Sequence, residues 1–469
     1  MLVGLVAPAY IGDPLLAELN RYQEFKRLAL LAGPLMTAQL AQMGMGVTDA
    51  VMAGHYGAVD LAGVALAGSL MWPVMMLFMG CLQALTPTIS QLNGEQNYPE
   101  IGETVRQGIW LALIAGILAM ITLRSIGPVY ALLDVDPPAA AISVAYLDYS
   151  SLGIPALMIF FSLRCLADGM SFTRPAMIIA VTALLLKIPL NYFFIYGMGD
   201  FEGQGGVGAG MAQAIIMWFQ LGLIIIVVTR KRFNSTGWRT RWSAPDPTRL
   251  SKLLRIGMPI GATIFAEMGL FSFTTLLLGR FGSEVVAAHN ISMNINGVLF
   301  MPPMALGMAA TIRIGYRIGQ GELLDARETA LIAMGGTLLI ALIGAAMIFV
   351  LNHQLVALYT TETTVATLAA ELLLFVAFFL LFDAAQSTAA GVLRGYKDTQ
   401  IPMRIALLSY WVIGLPVGCS LGYGWFFPPM EVYGFWVGLA AGVGSAAILL
   451  SLRLHHVSRN KELILALTR

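Results

Sequence analysis

The chain has 469 residues, is 58% hydrophobic and only 11% charged. Soluble domains carry about 25% charged residues, so the composition excludes an ordinary soluble protein and points to a membrane-embedded one. Lys and Arg number 27 against 26 Asp and Glu, which leaves no basic excess of the kind that binds nucleic acid.

In chain order, residues 1–27 form an N-terminal segment expected in the cytoplasm. Its apolar run, Met1 to Gly12, is too short to span a bilayer. It lacks the basic start of a signal peptide and is followed by Asp13 and Glu18. A first set of six apolar stretches follows, near 28–52, 61–92, 105–126, 139–167, 175–197 and 205–229. Each has the length a transmembrane helix needs, roughly 20 residues. Residues 230–252 form a polar linker holding Lys231, Arg232, Arg239, Arg241, Arg249 and Lys252, with Arg230 at its start. Positive charge of this density marks the cytoplasmic side. Six more stretches lie near 253–280, 285–318, 328–351, 363–392, 400–424 and 432–453, and 454–469 forms a tail. With the linker inside, both termini are inside as well, and the outer loops hold only Arg124 and Arg280 among the basic residues. The expected fold is all-α, with twelve transmembrane helices in two lobes, 28–229 and 253–453.

The two lobes repeat one another. PLMTAQLAQMGMGVTDAVMAG from Pro34 aligns with PIGATIFAEMGLFSFTTLLLG from Pro259, pairing Met43-Gly44 with Met268-Gly269 and Gly54 with Gly279. Further on, Gly169 aligns with Gly395, Pro189 with Pro416 and Gly197 with Gly424. An offset of about 225–228 residues persists throughout. Six spans per copy is an even number, so the halves share one orientation and are related by an axis along the membrane normal. Such internal symmetry removes the need for a dimer, and a functional monomer is expected.

Charge inside the spans marks the candidate site. Asp49, Glu267 and Asp383 each lie within an apolar stretch, where a charge costs roughly 2.5–3.5 kcal/mol on insertion scales. Burial moves a carboxyl's titration towards neutral pH, so such groups suit proton exchange; ionised, they suit Na⁺ or a cationic substrate. Gln42 aligns with Glu267, and Thr274 with Asp49, so each copy keeps its acid at a different place. Lys187 is too deep to reach water with ease and needs a partner, for which Asp49 is the candidate; Asn191, one turn on, shares its face. Phe271, Phe273, Met293 and Phe300 could line a cavity for flat apolar cations, through polarizable and cation–π contacts, or could simply pack. Cys81, Cys165 and Cys419 fit no metal spacing and read as small core residues. No phosphate-binding G-x-x-x-x-G-K-[ST] occurs, so ATP does not drive the protein directly.

Taken together, GMGVTDAVMAG (44–54), TRPAM with IPLN (173–177 and 188–191), VVAAHNISMNI (285–295) and AAGVLRGYKD (389–398) resemble the multidrug and toxic compound extrusion family, in its NorM-like branch. The resemblance covers nearly the whole chain from about Tyr22. It implies two pseudo-symmetric six-helix lobes around a central cavity, in a bacterial inner membrane. It also implies alternating access and export of amphipathic cationic compounds in exchange for inward H⁺ or Na⁺, with no other cofactor. The family's functional acids fall on Asp49, Glu267 and Asp383. Gln42, Met293, Asn294, Phe271, Phe273, Phe300 and Phe379 are the expected cavity residues. Two departures favour H⁺ over Na⁺: Lys187 stands where Na⁺-using relatives commonly have Asn, and Phe379 where they commonly have Tyr. An ammonium repels Na⁺ and a lost phenol weakens its shell, although Na⁺ at Glu267 and Asp383 stays open. Two other classes remain. A flippase for lipid-linked pyrophosphates would need several deep bases, and here Lys187 is the only one. An intramembrane enzyme would need paired acids at equal depth.

Overall fold

A computed structural model of the protein describes residues 14–132, 135–426 and 428–468. The short apolar run at Met1 to Gly12 and the acid at Asp13 lie outside them. The first lobe comprises α1 (Pro14–Tyr56), α2 (Ala58–Leu82), α3 (Leu85–Gly94), α4 (Tyr98–Arg124), α5 (Gly127–Leu132), α6 (Pro137–Ser151), α7 (Ile154–Gly169), α8 (Arg174–Tyr196) and α9 (Gly206–Val228). A short 3-10 turn, Lys231–Thr236, follows. The second lobe comprises α10 (Pro247–Leu278), α11 (Ser283–Gly319), α12 (Leu323–Ala357), α13 (Thr363–Gly395), α14 (Gln400–Leu407), α15 (Leu415–Tyr423), α16 (Glu431–Arg459) and α17 (Lys461–Thr468). A two-stranded hairpin, Gly197–Met198 with Phe201–Glu202, caps the connection from α8 to α9.

These elements make twelve membrane crossings, with four departures from unbroken helices, one of them a kink at Leu351 inside α12 (φ −118°, ψ 15°). The expected span 61–92 breaks at Gln83 and Ala84 into α2 and α3. The span 139–167 bends by 50° between α6 and α7, where Leu152 and Gly153 interrupt the ladder and Pro155 at the start of α7 cannot donate to it. The span 400–424 is interrupted by a π turn, Leu408–Gly414, just ahead of Pro416. A proline lacks the donor that would close a regular turn, and a widened turn accommodates it. Helix also runs beyond the expected span ends: α1 starts at Pro14, α10 at Pro247, α16 runs on to Arg459, and α17 fills half of the tail. Asp246 explains the start of α10, since its side chain accepts from the backbone of Thr248 and Arg249 as an N-cap.

The lobes meet along a seam on the side where the linker lies, and the repeat is visible in the contacts. Gly94 and Gly319 are equivalent positions 225 residues apart, as are Gln91 and Tyr316. A Cβ on Gly94 would stand 2.1 Å from the Tyr316 carbonyl oxygen, and one on Gly319 would stand 2.0 Å from that of Gln91. Only glycine permits backbones this close. The ends of α1 and α10 on the linker side are tied to the opposite lobe in the same symmetric way. Glu24 on α1 takes a bidentate Arg313 from α11, with its Oε1 2.6 Å and its Oε2 2.9 Å from the guanidinium, and Thr329 adds a third donor. Arg249 on α10, the repeat equivalent of Glu24, pairs with Glu100 on α4.

Candidate functional site in two polar clusters

In the first lobe, four helices bring polar groups to Asp49. Its Oδ2 accepts from Lys187 Nζ at 2.8 Å and from the Tyr146 hydroxyl at 3.3 Å, and its Oδ1 accepts from Asn191 Nδ2 at 2.7 Å. Lys187 also donates to Gln213 on α9. Lys187 and Asn191 are 0% exposed, so the ammonium is out of water and its compensation is local. Asp49 faces a cavity of about 250 Å³ lined also by Gln42, Met45, Trp72, Tyr146 and Gln213. The cavity is therefore apolar-walled with one carboxylate, one amide pair and one phenol, a chemistry that suits an amphipathic cation. Tyr146 and Gln213 were not singled out from the sequence. Neutral polar residues are common in membrane helices, and only the helix phase shows that these two face Lys187 and Asp49.

In the second lobe, Glu267 on α10 and Asp383 on α13 are drawn to one amide. Gln386 Nε2 donates to Glu267 Oε1 at 2.9 Å and approaches Asp383 Oδ1 at 3.4 Å. Gln386 Oε1 in turn accepts from the Tyr410 hydroxyl at 3.1 Å, and Tyr410 sits in the π turn. Asn296 on α11 flanks Asp383, and its Oδ1 is buried without a donor. Gln386, Tyr410 and Asn296 escaped the sequence reading for the same reason as Tyr146. Spacing could have found Gln386, which follows Asp383 by three residues on one helix face.

The expected cavity residues divide. Gln42 lines the first-lobe cavity. Asn294 is exposed on α11 and donates to the Asn290 carbonyl 2.8 Å away. Phe379 is a correction: it is 0% exposed, packs edge-on to Phe271 and Trp436, and presents no surface to a cavity. Its ring replaces nothing in the carboxylate cluster, since Tyr410 supplies the phenol there from another helix. Phe271, Met293 and Phe300 pack partly buried against the same second-lobe core. Phe273, two residues from Phe271, points elsewhere, is 40% exposed and lies against Trp411 at 6.2 Å.

The MatE family model matches residues 34–193 and 259–419. The two matches begin at Pro34 and Pro259, the prolines that open the internal repeat. The chain is 41% identical to the multidrug resistance protein PmpM of Pseudomonas aeruginosa, covering 95% of this chain and 94% of the relative. It is 39% identical to a probable multidrug resistance protein NorM of Idiomarina loihiensis, over 94% of this chain and 96% of the relative. In fold it is similar to a crystal structure of a eukaryotic MATE transporter, with a TM-score of 0.87 and 22% identity over 96% of this chain and 99% of that one. It is also similar to the Vibrio cholerae MATE transporter VcmN in its bent form, with a TM-score of 0.84 and 20% identity over 95% of this chain and 99% of that one. This chain belongs to the MatE family of multidrug efflux transporters, multi-pass membrane proteins that are not enzymes.

Proposed function

We propose that the protein exports amphipathic cationic compounds by alternating access, in exchange for inward protons. One observation carries the choice of ion. The place beside Asp49 that a metal cation would take is filled by the protein's own ammonium, Lys187 Nζ at 2.8 Å. Na⁺ needs several oxygen ligands and is repelled by a charge so near; a proton needs neither space nor a shell.

The Asp49–Lys187 pair then works as a unit. With both groups charged the cluster is neutral and does not attract a cation. Loss of one proton from the pair to the cytoplasm leaves net negative charge on Asp49, at the wall of the cavity, and a cationic substrate is drawn in. On the outer side a proton returns, neutralises the cluster, and the substrate leaves. Asn191 and Tyr146 hold the carboxylate in place through the cycle. The closed seam on the linker side corresponds to the outward-facing state, given a cytoplasmic linker and cytoplasmic termini. Exposed Asn290 and Asn294, one turn apart on α11, fit a water-filled cleft between the lobes better than they fit lipid.

A second reading, Na⁺ at Glu267 and Asp383, is favoured by the donor-free, buried Oδ1 of Asn296 beside two carboxylates. The two are separated by efflux of a permanently cationic dye from proteoliposomes, with pH and Na⁺ gradients imposed one at a time. Proton exchange predicts efflux under a pH gradient in Na⁺-free buffer. Efflux that requires Na⁺ overturns it in favour of the second-lobe pair. If neither gradient moves dye, the export reading itself fails.

A further inference from the structure

The seam that closes the lobes also buries charge. A small cavity of about 40 Å³ lies in it, walled by Gln83, Thr86, Arg164 and Asp168 from the first lobe and by Thr311 and Arg394 from the second. Arg164 is 8% exposed. Its Nε lies 3.3 Å from Asp168 Oδ2, while its Nη2 has no partner. Arg394 reaches across the lobes and donates to Gln83 Oε1 at 2.7 Å. Among the described residues Arg394 forms no ion pair. The cavity walls thus carry two guanidiniums against one carboxylate, Asp168, while Glu267, whose charge acts on Arg394, lies outside them. Buried charges are normally paired.

We propose that this cavity binds a small monovalent inorganic anion, a halide such as chloride, between Arg164 and Arg394. Arg164, which lines the cavity and whose Nη2 lacks an acceptor, is one donor, and Arg394, which no carboxylate contacts among the described residues, is the other attraction. Asp168 Oδ1 also lacks a partner, and a water beside it satisfies the carboxylate while keeping it off the anion. The volume suffices for a halide with a water, since a water needs roughly 10–15 Å³ measured the same way. The walls come from both lobes, so the site exists only while the seam is closed. A ligand that binds one state alone shifts the equilibrium towards it. Chloride therefore holds the cytoplasmic side shut, a consequence that rests on the alternating-access reading.

The site is tested with the full chain crystallised in the closed conformation and soaked in bromide. An anomalous peak between Arg164 and Arg394 is expected; a cavity holding only water overturns the proposal. Its consequence is tested in membranes through Cys81, which lies in the seam with its sulfur 3.5 Å from that of Met258 on the other lobe, and which does not line the cavity. Alkylation of Cys81 from the cytoplasmic side, located by peptide mass, is compared in chloride and in gluconate at equal ionic strength. Chloride should slow it several-fold in the wild type, and Arg164→Gln or Arg394→Gln should remove the difference. Equal rates in the wild type, or an undiminished difference in both variants, contradict the proposal. Should Cys81 resist alkylation in both salts, alternating access is what fails, and the bromide peak still decides the site.

Discussion

Asp49 is held by donors from three other residues, and Lys187 by two acceptors, so each depends on the other for its burial. Removing one member of a buried pair costs about 3–5 kcal/mol, because the partner's charge is left without compensation. Lys187→Met should therefore lower the melting temperature more than Lys187→Asn, whose amide keeps the site polar although it is too short to reach Asp49 directly; thermal unfolding in detergent checks the order. Lys187→Asn also removes the ammonium that, under the proposed proton exchange, keeps a metal ion out. Its dye efflux should lose its response to a pH gradient and gain one to Na⁺, read in the same proteoliposomes. Asp49→Asn should abolish transport and also lower the melting temperature, since it leaves the Lys187 ammonium without a counter-charge and one amide oxygen cannot serve both Lys187 and Asn191. At this scale the sequence was informative where charge was involved. A deep Lys and a deep Asp in one lobe need each other on energetic grounds, and the structure puts them 2.8 Å apart. It was silent on Tyr146, Gln213, Gln386, Tyr410 and Asn296. An uncharged polar group costs little in a membrane helix, so its presence does not announce a site. Phe379 misled for a related reason: its place along the helix suggested a lost ligand, but its helical phase turns it into the core.

Between residue and molecule, the breaks in the helices do the shaping. The interruption at Gln83–Ala84 lets α3 lie against α11, and there Gly94 and Gly319 bring backbone to backbone. A side chain at Gly94 cannot be accommodated by a rotamer change, because what it meets is the Tyr316 carbonyl, 2.1 Å from the Cβ. Gly94→Val should hold the seam open and speed alkylation of Cys81 from the linker side. An unchanged rate would show that α3 is free to shift. The spans themselves were legible from apolar length alone, since each must carry its own hydrogen bonds through lipid. The breaks were not. Prolines at 155 and 416 mark two of them, but prolines at 34, 73, 189 and 259 sit inside helices that continue. Whether a proline breaks or merely bends a helix depends on what its neighbours supply to the freed carbonyl, which is tertiary information.

For the whole molecule, the repeat creates two-fold pseudo-symmetry and the charges depart from it. The helix ends at Glu24 and Arg249 are equivalent, and each is clamped to the opposite lobe, but with opposite charge. The Glu24 clamp is the more buried and bidentate, so it should dominate: Glu24→Gln is expected to weaken closure by about 2–3 kcal/mol and Arg249→Gln by under about 1 kcal/mol, as an exposed pair would. Distance measurements between spin labels on the linker-side ends of α3 and α11 would show the former populating an open state and the latter little changed. The polar clusters also break the symmetry. The first lobe neutralises its acid with a lysine, and the second shares one amide between two acids. The fold repeats without the polar chemistry repeating, and under the proposed proton exchange the first lobe is the one that trades the proton.

That division is tested most directly by counting protons. A permanently charged phosphonium dye, which cannot titrate, is added to the purified protein in weakly buffered, Na⁺-free solution, with a pH indicator present. If the Asp49–Lys187 pair gives up its proton to admit a cation, wild-type protein releases about one proton for each dye bound, and Asp49→Asn releases none. Dye binding without proton release, or release that persists in Asp49→Asn, would contradict the account and move the exchange to Glu267 and Asp383.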